Sequence, residues 1–369
     1  MTDLNQFASQ RIRALEEKHQ RRVLRPMQVR GTAVQINGES LVNFASNDYL
    51  GLAGDPRLRI SADVAGTGAG AARLVTGNHE AYAPLEAALA TYKHTEAALV
   101  FGSGYLANVG VIPALVEAGD LLVMDKLAHA SMIDGAQLSG ATFKRFRHND
   151  LVHLEALLQE HRAAHRHALI ATEHIFSMDG DRAPLENLVA LAKRYDAWLM
   201  VDDAHGMGFF RDHPPVDLWL GTLSKALGSY GGYVAASQPV IDYLTTAARS
   251  FIFTTGLPPA VCVTATRALE ILQAEPQRAA QAHQYAQQVA QALGLPEPAA
   301  AIVPMVIGHE ADALAASVSL RAKGLLVTAI RPPTVPAGTA RLRLAFSANH
   351  TPAQVQQLID ALKPAKMRA

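Results

Sequence analysis

From residue 97 onward, short apolar runs bounded by turn residues alternate with segments of helical periodicity. The runs are AALVF, LLVMD, HALIATEHI, WLMVDDA and GYVAA, and the segments between them include EALLQEHRAA and ENLVALAKRYD. This alternation predicts an α/β fold with a mostly parallel sheet covered by helices on both faces. Ligands of such sheets bind at the carboxyl ends of strands, so the residues that follow each run are the first candidates for a site.

The N-terminal segment has a different pattern. Ala8, Ile12 and Leu15 recur at helical spacing among charged residues, which predicts an amphipathic helix over the first 25 or so residues. The dipeptide Asn37-Gly38 separates two short apolar runs and predicts a hairpin.

The last third of the chain changes pattern again after the two prolines of TTGLPP. A long Ala- and Gln-rich helix, three strands and a closing helix capped by Thr351 are predicted there. We therefore expect an N-terminal helix and hairpin over residues 1–45, a large domain over 46–255 and a small α+β domain over 256–369.

Charge and hydropathy exclude several classes of partner. Lys plus Arg equals Asp plus Glu at 33 each, so the chain has no net attraction for nucleic acid or for an anionic membrane. The N-terminal segment has no apolar signal region, and no stretch is long and apolar enough to span a bilayer. The single cysteine, Cys262, cannot form an internal disulfide and is expected in a buried helix. We expect a cytoplasmic protein that binds neither nucleic acid nor membranes.

Two segments near the end of the alternating region carry reactive side chains. GTLSKALGSYGGY places Lys225 in a loop of small residues, where an amine can form a Schiff base if its surroundings lower its pKa. WLMVDDAHGMG ends a predicted strand with Asp202, followed by Asp203 and His205. Asp203 should point to the opposite face of the strand, which makes Asp202 the better candidate for a site. The 23 residues that separate Asp202 from Lys225 suffice for one crossover and the next strand, so both should reach the same end of the sheet.

Two other interpretations of these motifs remain open from the residues alone. Asp202, Asp203, His205 and His129 could form a metal site, which predicts a metal-dependent hydrolase. GTGAGA fits the dinucleotide pattern G-x-G-x-x-A and has an acid, Glu86, at the expected spacing. The preceding RISADVA is too polar for the central strand that the dinucleotide interpretation requires.

Ordered blocks across the chain resemble those of the α-oxoamine synthases, within the aspartate-aminotransferase-like group of pyridoxal-phosphate enzymes. The blocks lie in family order from residue 43 to residue 259, and IRPPTVPAGTARLRL extends the resemblance to nearly the whole chain. They are SNDYLGL, RLVTGNHEAYAPLE, FGSGYLANVG, DKLAHASMIDGAQLS, IFSMDGDRAPL, VDDAHGMG, TLSKALG and FIFTTGLPP. The resemblance implies the type I fold of these enzymes, pyridoxal phosphate as cofactor and a homodimer with active sites at its interface.

The resemblance also implies roles for five residues around the cofactor ring. Lys225 would form the Schiff base and move the substrate α-proton. Asp202 would pair with the pyridinium nitrogen, which keeps the ring an electron sink. His205 would hydrogen-bond the ring hydroxyl oxygen, and His129 would stack on the ring and face the substrate. Glu173 would be a nearby acid that assists proton transfer.

Four further residues would bind the cofactor at its phosphate and its edge. Thr222 would bind the phosphate through its hydroxyl, and Gly104 and Tyr105 would donate backbone N–H groups to it. This role agrees with elementary physics, because GSGYLANVG has the pattern of a glycine-rich loop that opens a helix, and helix N-termini attract anions. Ser177 would also contact the cofactor.

The substrate residues implied by the resemblance lie mainly in the last part of the chain. Arg343 would hold the amino-acid carboxylate, since a guanidinium binds a carboxylate through two hydrogen bonds. Arg331 and Thr334 would lie near the acyl chain. An arginine at position 331 favours family members that condense L-alanine with a pimeloyl thioester and release CO2. Members that use glycine or serine with another acyl-CoA are the alternative.

An N-terminal arginine is also implied to bind substrate. Arg21 matches it, although Arg22 and Arg25 are close enough to leave the register open. The chain departs from the family pattern in two places, between DYLGL and GTGAG and in RDHPPVDLWLGT, where segments are shorter than usual. Neither departure removes a candidate site residue.

Overall fold

The structure is a computed structural model that describes residues 3–59, 66–211 and 214–366. The chain forms two compact units. The sheet unit comprises Asp48–Ser177 and Asp181–Ala280, and the terminal unit comprises Met1–Asn47, Met178–Gly180 and Gln281–Ala369. The three-part division predicted from the sequence stays a prediction.

Secondary structure is numbered in chain order through the described residues. The strands are β1 Gln28–Arg30, β2 Ala33–Ile36, β3 Glu39–Asn43, β4 Ala97–Phe101, β5 Leu121–Asp125, β6 Thr142–Phe146, β7 Ala168–Glu173, β8 Trp198–Asp202, β9 Leu218–Thr222, β10 Gly232–Ala236, β11 Ile302–Gly308, β12 Leu325–Leu326, β13 Thr328–Ile330 and β14 Ala340–Ala345. The helices are α1 Leu4–Glu17, α2 Tyr82–Lys93, α3 Gly104–Leu115, α4 Ala130–Ser139, α5 Leu151–His161, α6 Leu185–Arg194, α7 Gln238–Ala247, α8 Arg249–Ile252, α9 Pro259–Ala274, α10 Gln277–Leu293, α11 Glu310–Ala322 and α12 Pro352–Lys366. Short helical turns lie at Pro56–Leu58, Arg73–Gly77 and Arg162–Ala164.

A seven-stranded sheet in the order β4-β10-β9-β8-β7-β5-β6 forms the centre of the sheet unit. β10 is antiparallel to both of its neighbours, and the pairs β9-β8-β7-β5-β6 are all parallel. The predicted runs AALVF, LLVMD and GYVAA are β4, β5 and β10 with unchanged bounds. The α/β class and the mostly parallel sheet are confirmed. The apolar pattern does not predict β6, because TFKRF contains two basic residues and lies at the sheet edge, where side chains meet water.

Each face of this sheet is covered by its own hydrophobic cluster. Alternate residues of a strand enter opposite clusters, as Leu199 and Val201 of β8 pack on one side and Met200 on the other. The sheet side that receives Met200 also receives side chains of α3, α4 and α7. The same alternation decides which way the acids at the end of β8 point.

The terminal unit contains two smaller sheets, β1-β2-β3-β12 and β11-β14-β13. β2 and β3 form the predicted hairpin, whose turn residues Asn37 and Gly38 have φ of 53° and 84°. Two positive φ values are what a tight two-residue hairpin turn requires. The predicted cap of α12 is also present, since Thr351 Oγ1 accepts the N–H of Gln354 at 3.2 Å and Gln354 Oε1 accepts the N–H of Thr351 at 2.9 Å.

The predicted N-terminal helix is present but shorter than expected. α1 ends at Glu17, and the prediction of helix to about residue 25 is wrong because His19 takes the left-handed conformation, with φ of 53°, and stops the helix. Cys262 is buried in α9, as expected. No helix in the described ranges is long and apolar enough to cross a membrane.

Candidate active site

The two central candidates, Asp202 and Lys225, lie at the carboxyl ends of the neighbouring strands β8 and β9. Asp202 is the last residue of β8, and Lys225 follows the end of its parallel neighbour β9 by three residues. Lys225 Nζ lies 2.8 Å from His205 Nε2, and His205 Nδ1 lies 2.6 Å from the hydroxyl of Tyr49. Lys225, His205 and Tyr49 therefore form one connected row of polar groups in the sheet unit.

The carboxylate of Asp202 is buried and hydrogen-bonded. Its Oδ2 accepts from Asn108 Nδ2 at 2.8 Å, and its Oδ1 accepts from the backbone N–H of Ala204 at 3.0 Å. The side chain is only 6% exposed. Burying a carboxylate is costly without such donors, so α3, which carries Asn108, holds Asp202 in place.

Asp203 is bound on the other face of the sheet. It forms an ion pair with the buried Lys93, and its Oδ1 lies 2.6 Å from His174 Nδ1. Burial alone would raise the pKa of Asp203, but the charges of Lys93 and His174 hold that pKa well below its usual range. The prediction that the two neighbouring acids point apart is therefore confirmed.

The two competing interpretations of these motifs have less support. Among residues 3–59, 66–211 and 214–366, no group of three or more His, Cys, Asp or Glu side chains could hold a metal ion. The hydrolase alternative therefore lacks the donor cluster that it requires. The strand required by the dinucleotide alternative falls almost wholly on residues 60–65, which lie outside the described residues. Its acid, Glu86, forms an ion pair with Arg73 at 2.5 Å.

His129 and Glu173 lie near the same acid. His129 caps the N-terminus of α4, where burial lowers its pKa while Asp202 opposes that effect. Glu173 ends β7 and lies beside Asp202 in the strand register. Burial, and secondly the charge of Asp202, raise the pKa of Glu173 well above its usual value. Its Oε2 accepts the backbone N–H of Ser177 at 3.2 Å, whereas its buried Oε1 has no hydrogen-bond partner among the described residues.

The first turn of α3 lies against the end of β9. A Cβ atom on Gly104 would come within 3.4 Å of the Thr222 Cβ, and one on Gly232 would come within 2.4 Å of the Gly104 nitrogen, so the backbones approach closely. Thr222 Oγ1 lies 2.7 Å from Ser224 Oγ. The first N–H groups of a helix lack acceptors within the helix, so this turn suits an anion. The Thr222 hydroxyl donates to the Gly231 carbonyl at 2.9 Å and would have to rotate to donate to that anion.

Tyr105 also lies in this first turn. Its phenol donates a hydrogen bond to Asp134 of α4, which raises the pKa of Tyr105, and 47% of the residue is exposed. The side chain is therefore directed to α4, while its backbone N–H remains at the helix N-terminus.

Four of the predicted residues lie in the terminal unit and are described there by themselves. Arg343 lies within β14 and is only 5% exposed, although an arginine in an RLRL strand would ordinarily point to solvent. One of its guanidinium nitrogens donates to Asn47 Oδ1 at 3.0 Å. A buried guanidinium suits a carboxylate-binding role, because it can donate two parallel hydrogen bonds to a carboxylate.

The N-terminal arginines differ in their partners. Arg331 follows β13 and donates to a backbone carbonyl, and burial, followed by the charge of Arg22, lowers its pKa. Arg22 donates to Thr334 Oγ1 at 3.1 Å, whereas Arg21 pairs with Glu16. Arg22, not Arg21, therefore lies next to the pair implied to bind the acyl chain, and the role of Arg21 stays a prediction.

The sheet-unit residues fit pyridoxal phosphate on chemical grounds. They provide an amine, a buried carboxylate for a ring nitrogen, a flat imidazole and an anion site. Glu173 Oε1 is buried without a hydrogen-bond partner among the described residues, which suits a site that binds a polar ligand. The sequence assigned no role to Tyr49, Asn108 or Ser131, which complete the contacts of His205, Asp202 and His129. All three lie in blocks that carry the family resemblance, which is the only sequence signal that could have drawn attention to them.

Comparison with known proteins gives consistent results. A family model described as aminotransferase class I and II matches residues 39–362. An 8-amino-7-oxononanoate synthase of Methylobacterium radiotolerans is 53% identical over the full length of both chains. A solved serine palmitoyltransferase variant of S. paucimobilis with a bound PLP–myriocin aldimine is 30% identical, with a TM-score of 0.91, and the match covers 100% of this chain and 99% of that chain. A solved 8-amino-7-oxononanoate synthase of Francisella tularensis is 25% identical, with a TM-score of 0.75, and covers 89% of this chain and 98% of its own.

Proposed function

Because this chain belongs to the 8-amino-7-oxononanoate synthases within the class I and II aminotransferase family, we propose that its catalytic centre lies at the carboxyl ends of β8 and β9, at Asp202 and Lys225. The enzyme is an acyltransferase that depends on pyridoxal phosphate. Its reaction joins L-alanine to a pimeloyl thioester and yields 8-amino-7-oxononanoate, CO2 and the free thiol, a step of biotin biosynthesis. Delivery of the acyl group by CoA or by a carrier protein are both compatible with this reaction.

One observation carries the assignment of the centre. The amine of Lys225 and the carboxylate of Asp202 lie at the carboxyl ends of adjacent parallel strands, and His205 bonds to the amine at 2.8 Å. In open α/β sheets, ligands bind at the carboxyl ends of the strands. An amine and a buried acid at this position meet the two main requirements of a pyridoxal-phosphate site.

The roles proposed for the cofactor-binding residues are those that the family resemblance implies, and their positions are compatible with them. Pyridoxal phosphate, when bound, supplies an electron sink that stabilises negative charge at the substrate α-carbon. Lys225 would bind it covalently through Nζ, and Asp202 would keep its ring nitrogen protonated. Thr222 and the first turn of α3 would hold its phosphate. His205 would donate to its ring hydroxyl oxygen.

Proton transfer to and from the substrate is assigned to two groups. Lys225 Nζ would remove the α-proton of alanine and return a proton after CO2 is lost. Glu173 is buried beside Asp202, and burial raises its pKa, which favours its protonated form, so it would exchange a proton with groups nearby. His129 would stack on the ring and exclude water from that face, and Ser177 would contact the cofactor edge.

The substrate-binding residues are those that the family resemblance implies. Arg343 would hold the alanine carboxylate through two hydrogen bonds. Arg331 and Thr334 would lie near the pimeloyl chain, and Arg21, or Arg22 beside Thr334, would also bind substrate. A glycine- or serine-using synthase is the second candidate, because the chain is also 30% identical to a serine palmitoyltransferase.

Absorbance spectroscopy tests both the centre and the substrate. The purified enzyme with pyridoxal phosphate should show a band between 300 and 500 nm that responds to L-alanine more strongly than to glycine or L-serine. Lys225→Ala should abolish the band of the lysine-bound cofactor. Lys193→Ala, which replaces an exposed lysine on α6, is the matched control and should leave it unchanged.

The spectra have three informative outcomes. A strongest response to glycine or serine would keep the family and change the substrate. A band that persists in Lys225→Ala would refute the assignment of the lysine. Absence of any band in the wild-type enzyme after incubation with the cofactor would refute the assignment of the centre itself.

A homodimer and a cytoplasmic location are part of the same proposal. The family resemblance implies active sites at a subunit interface, with Thr254 or Thr255 reaching the phosphate of the neighbouring subunit. Light scattering after size-exclusion chromatography should give twice the mass of one chain. A mass equal to that of one chain at micromolar concentration would refute the dimer.

A further inference from the structure

A row of hydrogen bonds connects His129 to Asp202 through two side chains that have no assigned role. Asn108 Nδ2 lies 2.8 Å from Asp202 Oδ2 and 3.0 Å from Ser131 Oγ, and Ser131 Oγ lies 2.7 Å from His129 Nδ1. Asn108 and Ser131 are each only 1% exposed. Solvent therefore does not compete for these bonds, and each group depends on its neighbours.

The chemistry of the amide fixes the direction of its two hydrogen bonds. An amide nitrogen can only donate, so Asn108 gives one hydrogen to Asp202 and the other to Ser131 Oγ. The reverse orientation of the amide would place its oxygen against the carboxylate of Asp202, where two acceptors would face each other. Since Ser131 Oγ accepts from Asn108, its own hydrogen is available for His129 Nδ1.

The backbone gives a second and independent indication at His129. The N–H of Ser131 points at Nδ1 from 3.2 Å, and a backbone N–H is always a donor. Nδ1 accepts from this backbone donor, and a nitrogen that accepts there carries no proton; the Ser131 hydroxyl can then donate to it as well. The imidazole is therefore neutral, with its hydrogen on Nε2.

Charged groups around the ring act in both directions. Asp202 and Asp134 favour the protonated ring, Lys225 disfavours it, and burial, the largest effect, also disfavours it. The neutral state thus rests on burial together with the donors at Nδ1, against two carboxylates. Removal of one donor should shift this balance toward protonation.

We propose that Asn108 and Ser131 are positioning residues that hold the carboxylate of Asp202 and keep His129 neutral with its proton on Nε2. The inference rests on the proposed function, in which Asp202 and His129 both face the cofactor. An imidazolium at His129 would attract the Asp202 carboxylate and would repel a protonated ring nitrogen. Asn108 and Ser131 would therefore preserve the attraction between the Asp202 carboxylate and the cofactor ring nitrogen, and they would do so through Asp202 and His129.

Nitrogen NMR on the full-length chain labelled with 15N-histidine tests the proposal directly. The His129 signals, assigned by their loss in His129→Gln, should show a protonated Nε2 and an unprotonated Nδ1 near neutral pH. Ser131→Ala removes one donor from Nδ1 and should raise the pKa of His129. Ser131→Thr keeps the hydroxyl and should restore the wild-type titration.

The same helix offers a matched control. Ser139 of α4 is also buried, and its hydroxyl donates to the Ala136 carbonyl at 2.7 Å, away from His129. Ser139→Ala removes a buried serine hydroxyl from the same helix, as Ser131→Ala does, and should leave the titration of His129 unchanged. Circular dichroism of each variant verifies that the fold is retained.

Asn108 is tested through cofactor affinity. Loss of a hydrogen bond to a charged group should weaken binding of pyridoxal phosphate by about ten-fold or more in Asn108→Ala, measured by equilibrium dialysis. Ser139→Ala should bind as the wild type does. If Asn108→Ala fails to fold, the Ser131 variants still decide the His129 part of the proposal.

The outcomes separate this inference from the proposed function. A wild-type enzyme that binds no pyridoxal phosphate would refute the proposed function, whereas the tautomer and titration of His129 can still be measured without cofactor. An unchanged titration in Ser131→Ala, or a proton found on Nδ1 in the wild type, would overturn the inference even if the cofactor binds.

Discussion

Replacing His148 should destabilise the sheet unit in a pH-dependent way. Its Nε2 lies 2.7 Å from Asp181 Oδ2 and its Nδ1 lies 3.1 Å from the buried Asp125 Oδ1, while its ring packs edge-on against Phe176 at 4.3 Å. His148 thus anchors the segment that carries Ser177. We expect His148→Gln, which cannot take a charge, to lose this clamp between two carboxylates.

The magnitude follows from the pKa of the imidazole. Burial lowers the pKa of His148, but hydrogen bonds to Asp125 and Asp181 outweigh burial and raise it from 6.5 to about 10. Fully expressed, such a rise corresponds to about 5 kcal/mol of folding stability. Because 25% of the His148 side chain and 43% of Asp181 are exposed to solvent, we expect roughly 2 kcal/mol.

The sign determines the pH window. A folded-state pKa above the unfolded value stabilises the protein fully below about pH 6.5, and this stability is lost as the pH rises toward and through 10. Urea unfolding at pH 6, 8 and 10 should therefore show a difference between wild type and His148→Gln that is largest at pH 6 and shrinks steadily. His167→Gln, an exposed histidine stacked on Trp198, is the control and should show no such trend. A difference that is constant across these pH values would refute the reasoning.

Three further changes have definite expected results. Glu173→Gln should become more stable than wild type as the pH rises above 4.5, because ionising a buried acid of raised pKa costs folding free energy; thermal unfolding at pH 5 and pH 8 measures this. Lys93→Met should lower the free energy of unfolding in urea by about 3 kcal/mol, because it leaves the buried charge of Asp203 without its ion-pair partner. Adding Asp203→Asn should recover part of this loss. Thr351→Ala should cost about 1 kcal/mol by removing the cap of α12, whereas Thr351→Ser should cost little.

Much of the sheet and its reactive edge could be predicted from local patterns. β4, β5 and β10 have the bounds of their apolar runs, because strands buried on both faces require continuous apolar residues. The hairpin at Asn37-Gly38 and the cap at Thr351 depend on residues close in sequence, and both are present. The end of α1 could not be predicted in this way, since the left-handed turn at His19 has no glycine to announce it.

The sequence by itself determined that Lys225 and Asp202 reach the same end of an α/β sheet, because strand periodicity and connection length are local properties. Only the tertiary structure decided which side chains bind each acid. Asp202 takes Asn108 from 94 residues away, and Asp203 takes Lys93 from 110 residues away, on the opposite face. Which helix covers which face depends on how the whole chain packs, and no local pattern in the sequence records it. The same reason explains why the hydrogen bond between Asn108 and Ser131, 23 residues apart, becomes visible only in the folded protein.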